Sequence, residues 1–145
     1  MSQENVEIVR RLWNAAERGD DQAVYALYDP AISNMAEIWD PEIELDVSEA
    51  PGVGLGGVRR GAAAARQWWR EWFAAWETLQ FEYELLDAGD RGVMLLDLRM
   101  RGRSSGIDMP FGKHAWVTTF RNGLIVHSKL YMSQSDALEA AGLSE

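Results

Sequence analysis

The chain has 145 residues, 47% of them hydrophobic, no cysteine and a formal charge of −9. That length buries a core within one domain, and the missing thiols exclude disulfides and thiolate metal or redox chemistry. The negative charge opposes polyanions, and the basic cluster Arg59, Arg60, Arg66 and Arg70 is diluted by Glu71 and Glu77, so nucleic acid is not an expected partner.

Met1-Ser2-Gln3-Glu4 carries no basic leader region, and no apolar run reaches ~18 residues. A soluble cytoplasmic protein with no membrane partner is the expectation. Val6, Val9, Leu12, Trp13 and Ala16 recur at helical spacing, with Gly19 as a stop signal. Asp20 or Asp21 caps a second short helix carrying Val24, Leu27 and Tyr28, which Asp29-Pro30 ends. Ile32, Met35, Ile38 and Trp39 fit further helical turns, closed by Asp40-Pro41. Ile43 to Val47 alternates apolar and acidic residues, as a half-buried strand does. The Gly-rich stretch from Gly52 to Gly61 lacks the spacing and Lys-Ser/Thr of a phosphate loop, and reads as a loop or lid at a pocket mouth.

A helix is predicted over residues 62–77. It concentrates four of the seven tryptophans, Trp68, Trp69, Trp72 and Trp76, and positions 65, 69, 72 and 76 share one face with Trp68 beside it. So much aromatic surface requires a large apolar partner. Four strands then follow, over residues 79–86, 93–103, 114–120 and 124–132. A turn at Asp87 to Asp90 separates the first two, and Asn122-Gly123 is a strong hairpin signal between the last two. Leu96, Leu98 and Met100 form one inner row, and Ser128, Leu130 and Met132 another. Ser133 or Ser135 caps a last helix over residues 137–141. Helices first and a meander after them predict an α+β fold. Its expected form is a cone-shaped, curved antiparallel (mixed) sheet covered by N-terminal helices and the Trp-rich helix.

Several segments together resemble a known family. They are Arg18-Gly19-Asp20 with Leu27-Tyr28-Asp29-Pro30, then Gly57-Val58-Arg59-Arg60-Gly61 leading into Trp69-Arg70-Glu71-Trp72, then Asp87-Ala88-Gly89-Asp90-Arg91, Arg121-Asn122-Gly123-Leu124-Ile125-Val126 and the ending from Asp136 to Leu143. In this order and spacing the chain resembles SnoaL-like proteins of the nuclear transport factor 2-like superfamily, as a single domain over residues 1–145. Residues 31–41 resemble an insertion. The resemblance implies a pocket inside the cone, often a homodimer through the outer sheet face, and no single activity. Members similar to ketosteroid isomerase or polyketide cyclase perform cofactor-independent acid–base chemistry on apolar substrates; others only bind or scaffold.

Carried over by position, the resemblance departs from the isomerases. The Tyr of their first helix falls near Leu12, the first-strand carboxylate near Val47, and the second carboxylate near Trp116. A one-residue slip is needed to bring Asp46 inward. The last-strand Asp of cyclase and epoxide hydrolase members falls at Leu130. A ketosteroid-type reaction is therefore not expected.

What the residues leave is His114 as the acid–base candidate, because histidine titrates near neutral pH, with an inward Asp46 as the carboxylate orienting it. The alternatives are a His114 that only bonds a backbone group and an outward, solvated Asp46. Candidate ligand contacts are Trp116, Thr118, Ser128, Met100, Met132, Trp72 and Tyr28. His127, Lys129 and Tyr131 are expected on the outer face with Asp97, Arg99 and Arg101, where Arg–carboxylate pairs suit a dimer. No metal-ligand spacing occurs, since His114 and His127 fall on opposite faces. No cofactor is expected, and the expected partner is a small apolar or aromatic molecule. Three functions stay open: a cofactor-independent isomerase, cyclase or hydratase-type enzyme, a non-catalytic ligand-binding protein, and a structural dimer with a closed core.

Overall fold

The computed structural model describes residues 39–50, 56–74, 76–102 and 108–143, with positions 3, 6, 7 and 10 besides; for 73, 74, 76–81, 100–102 and 108–111 it describes the backbone. Positions 6, 7 and 10 are helical, as expected there, and the rest of the helices expected over residues 5–30 lies outside the described residues.

Strand β1 (Trp39–Asp46) starts earlier than its alternation predicts. Trp39 to Pro41 belongs to it and not to a helical turn. The reason is visible in the pairing: Trp39 lies opposite Ile125, and regular pairing resumes only at Glu44. Pro41, which has no N–H to donate, falls in the gap, and Asp40 Oδ1 accepts the Glu42 N–H at 2.9 Å. Short strand β2 (Val58–Arg60), absent from the sequence reading, pairs antiparallel with β1. The Gly61 N–H donates to the Ile43 carbonyl at 2.8 Å, which ties the end of the Gly-rich stretch to β1.

Helix α1 (Ala62–Ala74) follows directly. It ends before Trp76, which opens β3 (Trp76–Ala88) opposite Gly102. Here the period-two pattern from Thr78 to Leu85 overrides the helical spacing that links Trp72 to Trp76. Strand β4 (Arg91–Gly102) returns after a turn in which Asp87 Oδ1 accepts the Gly89 N–H at 2.9 Å. Strands β5 (Asp108–Arg121) and β6 (Leu124–Tyr131) meet at Asn122-Gly123, both at positive φ, 53° and 77°. That is the conformation Asn-Gly favours in a two-residue hairpin. Ser133 caps α2 (Gln134–Ala140), its side chain accepting the Asp136 N–H.

The described strands form one six-stranded mixed sheet in the order β2-β1-β6-β5-β4-β3. β1 and β6 are parallel, and the other pairs are antiparallel. Irregular register in β1, β3, β4–β5 and β5–β6 supplies the local bends from which a sheet curves. Cross-strand partners share a face. Leu96 opposite His114, Met94 opposite Trp116, Trp116 opposite Leu130, and Ser128 opposite Leu45 therefore define the inner face. Helix α1 lies across it, with the rings of Trp68 and Trp69 against Trp116.

The opposite face is not wholly solvated. Val93, Ala115 and Val117 are buried there beneath Ala137 and Ala141 of the C-terminal segment, so α2 closes a second, smaller core. Among the described residues no helix is long and apolar enough to cross a membrane.

Candidate functional site

Placing α1 over the inner face brings Trp68, Trp69 and Trp72 above β4, β5 and β6. A cleft opens between them, floored by Leu96 and Leu98 of β4, His114 and Trp116 of β5, and Leu130 of β6. The space among these side chains is about 320 Å³ when the part open to solvent is counted, yet the room left for a water-sized body is about 20 Å³. The smaller figure decides what fits without movement, which is roughly one water. Anything larger enters by shifting indole rings.

Those rings form one cluster. Trp68 meets Trp69 edge to face at 4.9 Å between centroids and Trp116 at 5.9 Å, and it stacks on Trp72 at 6.2 Å. Trp69 reaches Trp72 at 5.9 Å and Trp116 at 5.1 Å. Edge-to-face contacts set a ring's positive rim against a neighbour's negative face, which adds to the gain from burial. The sequence places Trp68 beside the main stripe. In the fold it is 1% exposed and contacts all three other rings.

His114 is the one buried polar residue among the described core, 3% exposed. Its Nδ1 lies 3.1 Å from the Gly112 carbonyl oxygen. A carbonyl only accepts, so Nδ1 carries the proton and donates, and in the neutral ring the lone pair sits on Nε2. The expectation that His114 bonds a backbone group is thus met at one nitrogen, while the ring still lines the cleft. Burial pushes its pKa below the ordinary histidine value, outweighing the upward pull of the Gly112 carbonyl and the Asp97 charge. The backbone beneath is held by Gln134, whose Nε2 donates to the carbonyl oxygens of Leu96 at 3.0 Å and His114 at 3.2 Å. No sequence signal marks this clamp, because it joins the first turn of α2 to two strands far away in the chain.

Asp46 is not part of the site. Its register partners Lys129 and Val58 put it on the outer face, while Leu45 and Val47, 1% and 0% exposed, point inward. The one-residue slip that would pair it with His114 is not taken, since it would turn those two apolar side chains into solvent. Instead Asp46 Oδ1 accepts from the Ser48 hydroxyl at 2.6 Å and the Ser48 N–H at 3.0 Å, and Oδ2 lies 3.8 Å from Lys129 Nζ. Burial raises its pKa, but the two Ser48 bonds, Lys129 and His127 together hold it below the ordinary carboxylate value. Replacing Asp46 by Asn is expected to cost about 1 kcal/mol in urea unfolding at neutral pH. The difference should shrink as pH falls through the depressed carboxyl pKa, and ligand binding should be unchanged.

The other candidates divide. Trp116 and Trp72 line the cleft. Thr118 and Ser128 share the inner face but bond each other at 3.0 Å across β5 and β6. Met132 follows β6, and its N–H donates to Glu49 Oε1 at 3.0 Å. The side chain of Met100, and all of Tyr28, lie outside the described residues. His127 and Lys129 are on the outer face as expected, His127 3.4 Å from Glu44, which also meets Arg60 at 3.1 Å. Among the described residues no group of three or more His, Asp or Glu side chains could hold a metal ion.

Against known proteins, the sequence profile of the SnoaL-like domain matches residues 9–128. No curated protein matches the chain. Its fold is similar to that of an NTF2-like protein of unknown function from Burkholderia pseudomallei, at 22% identity over 96% of this chain and 97% of that one, with a TM-score of 0.66. It is also similar to TerC co-crystallized with polyporic acid, at 15% identity over 97% and 99% of the two chains, TM-score 0.65. A third likeness is to a protein with a ketosteroid isomerase-like fold from Catenulispora acidiphila in complex with trimethylamine, at 16% identity over 94% and 93%, TM-score 0.59. At these identities the likeness shows a shared fold.

Proposed function

The chain belongs to the SnoaL-like domain family, and from that premise we propose that it binds a small, largely apolar molecule in the tryptophan-lined cleft, where His114 accepts a hydrogen bond or a proton from it. The observation that carries this reading is a buried imidazole with Nδ1–H fixed on Gly112, set among described lining residues that are otherwise apolar. A concave apolar site with one well-placed polar group is the usual form of a small-molecule pocket. TerC is co-crystallized with polyporic acid and the Catenulispora protein is in complex with trimethylamine; for this chain they support small-molecule binding and not the identity of the molecule.

If the bound molecule reacts, the chemistry available is proton transfer by a single group. Nε2 takes a proton from the substrate and returns it elsewhere, as in an isomerisation or an elimination without a cofactor. Turnover on any substrate found should fall about 10²–10⁴-fold in His114→Gln. An unchanged kcat removes the catalytic half of the reading and leaves the binding half. A homodimer through the outer face belongs to the same reading, supported by the mixed charges of Glu44, Arg60, Asp46 and Lys129 on that face.

A second reading, a closed structural core, is favoured by the small free room. Titration with toluene, followed by the indole N–H resonances, separates the two. Saturable shifts in the wild type that vanish when Leu130→Trp fills the cleft support a pocket. A wild type that gives no saturable response to toluene or to p-cresol is a closed core.

A further inference from the structure

We propose that Gln134 is a positioning residue for the candidate site: through its side chain, the docking of α2 on the outer face of the sheet holds the imidazole of His114 in place on the inner face. Its bearing on a ligand rests on the pocket reading, but the coupling is measured without one.

His114 sits at a corner where the ladders of the sheet give out. On one side the register of β4 and β5 shifts, with Leu98 opposite Gly112 and Arg99 opposite Pro110, so that Phe111 is left over. Gly112 stands at this bulge with a φ of 83°, a left-handed conformation that glycine adopts without steric cost. Its carbonyl is the one that His114 Nδ1–H meets at 3.1 Å. On the other side the paired register of β5 and β6 begins at Ala115, opposite Tyr131, and stops short of His114, because the chain turns there from β6 into α2.

Gln134 fills that corner. Its Nε2 carries two hydrogens, and it bonds the Leu96 carbonyl at 3.0 Å and the His114 carbonyl at 3.2 Å. Leu96 and His114 are register partners, so one amide bridges both strands at the level of the imidazole. The amide is anchored from the far face. Ser133 caps α2, Ala137 and Ala141 are buried with Val93, Ala115 and Val117, and Arg91 Nη1 donates to the Ala140 carbonyl at 2.9 Å. Just before the helix, the Met132 N–H donates to Glu49 at 3.0 Å. None of these anchoring residues lines the cleft.

Three variants separate positioning from bulk stability. Gln134→Met keeps the length of the side chain and removes both donors. Leu138→Ala trims the packing of α2 on the second core. Ile125→Val lowers stability through lost packing on β6, away from α2. Proton and nitrogen-15 NMR of the His114 ring is recorded for each in the absence of ligand, beside urea unfolding. In Gln134→Met, exchange of the Nδ1 proton with water should quicken about tenfold or more, and the His114 midpoint should rise toward the ordinary value as water reaches the ring. Leu138→Ala should shift both in the same direction by less, and Ile125→Val should shift neither. Among the described residues, Asp97 on β4 is the charge acting on the ring, Lys113 on β5 is its register partner, and Trp68, Trp69, Trp72 and Leu130 line the cleft from α1 and β6. No variant changes any of these.

Unchanged His114 signals in Gln134→Met overturn the proposal, and so does an equal shift in Ile125→Val. A response in Gln134→Met with none in Leu138→Ala overturns the link to α2 docking. Should Gln134→Met fail to fold, couplings across the hydrogen bonds from the wild-type Gln134 amide to the Leu96 and His114 carbonyl carbons decide, and their absence overturns the clamp. A cleft silent to toluene and p-cresol removes the pocket reading and leaves this coupling standing.

Discussion

Replacing Trp68 by alanine is expected to destabilise the protein by about 3–5 kcal/mol, the range for truncating a large buried aromatic. A single domain has about 5–15 kcal/mol in total, so this one change takes a large share. Trp68 is 1% exposed and touches Trp69, Trp72 and Trp116. Its loss leaves a cavity and also strips the contacts that orient the other three rings. Urea unfolding should show a lower midpoint with little change in slope. A loss under about 1 kcal/mol would mean that the indole is not packed as the structure places it.

The second large effect is acid destabilisation through His114. Its folded pKa is below the unfolded value of 6.5 because burial disfavours the imidazolium. Above 6.5 both states are neutral and the group contributes no pH dependence. As pH falls below 6.5 the unfolded chain takes up the proton first, so stability drops until the folded pKa is passed. Each unit of depression corresponds to about 1.4 kcal/mol lost over that window. Within the described structure Asp97 is the charged group that opposes the shift, and the side chains lining the cleft beside His114 are Trp, Leu and nothing ionisable. The wild type minus His114→Phe difference in unfolding free energy, measured from pH 7.5 down to pH 4 (about one unit above to two and a half below the ordinary histidine value), isolates the contribution of His114. A flat difference contradicts a buried neutral imidazole.

Local signals carried much of the sheet. Alternation from Leu79 to Leu86 and from Val93 to Gly102, with Asn122-Gly123 between β5 and β6, is written in neighbouring residues, and the paired strands follow it. Parity alone put His114 and Trp116 on the inner face and His127 and Lys129 on the outer one. What escaped depends on partners distant in the chain. Trp76 continues the helical stripe of Trp69 and Trp72, yet strand pairing with Gly102 claims it. Trp39 starts β1 because Ile125 lies alongside, a parallel contact that residues 31–41 do not announce. Asp46 faced two readings of one alternating strand, and the burial of Leu45 and Val47 decides between them. The Gln134 clamp under His114 is tertiary in every part.

His114 is a neutral imidazole that holds its proton on Nδ1, against the Gly112 carbonyl, while its ring lines the tryptophan cleft. Nitrogen-15 NMR of the histidine rings through a pH titration tests it most directly, with His114→Phe assigning the signals. The expected result for His114 is a protonated Nδ1 and an unprotonated Nε2 at neutral pH, with a midpoint below 6.5. A proton on Nε2, or a midpoint at or above 6.5, would contradict it.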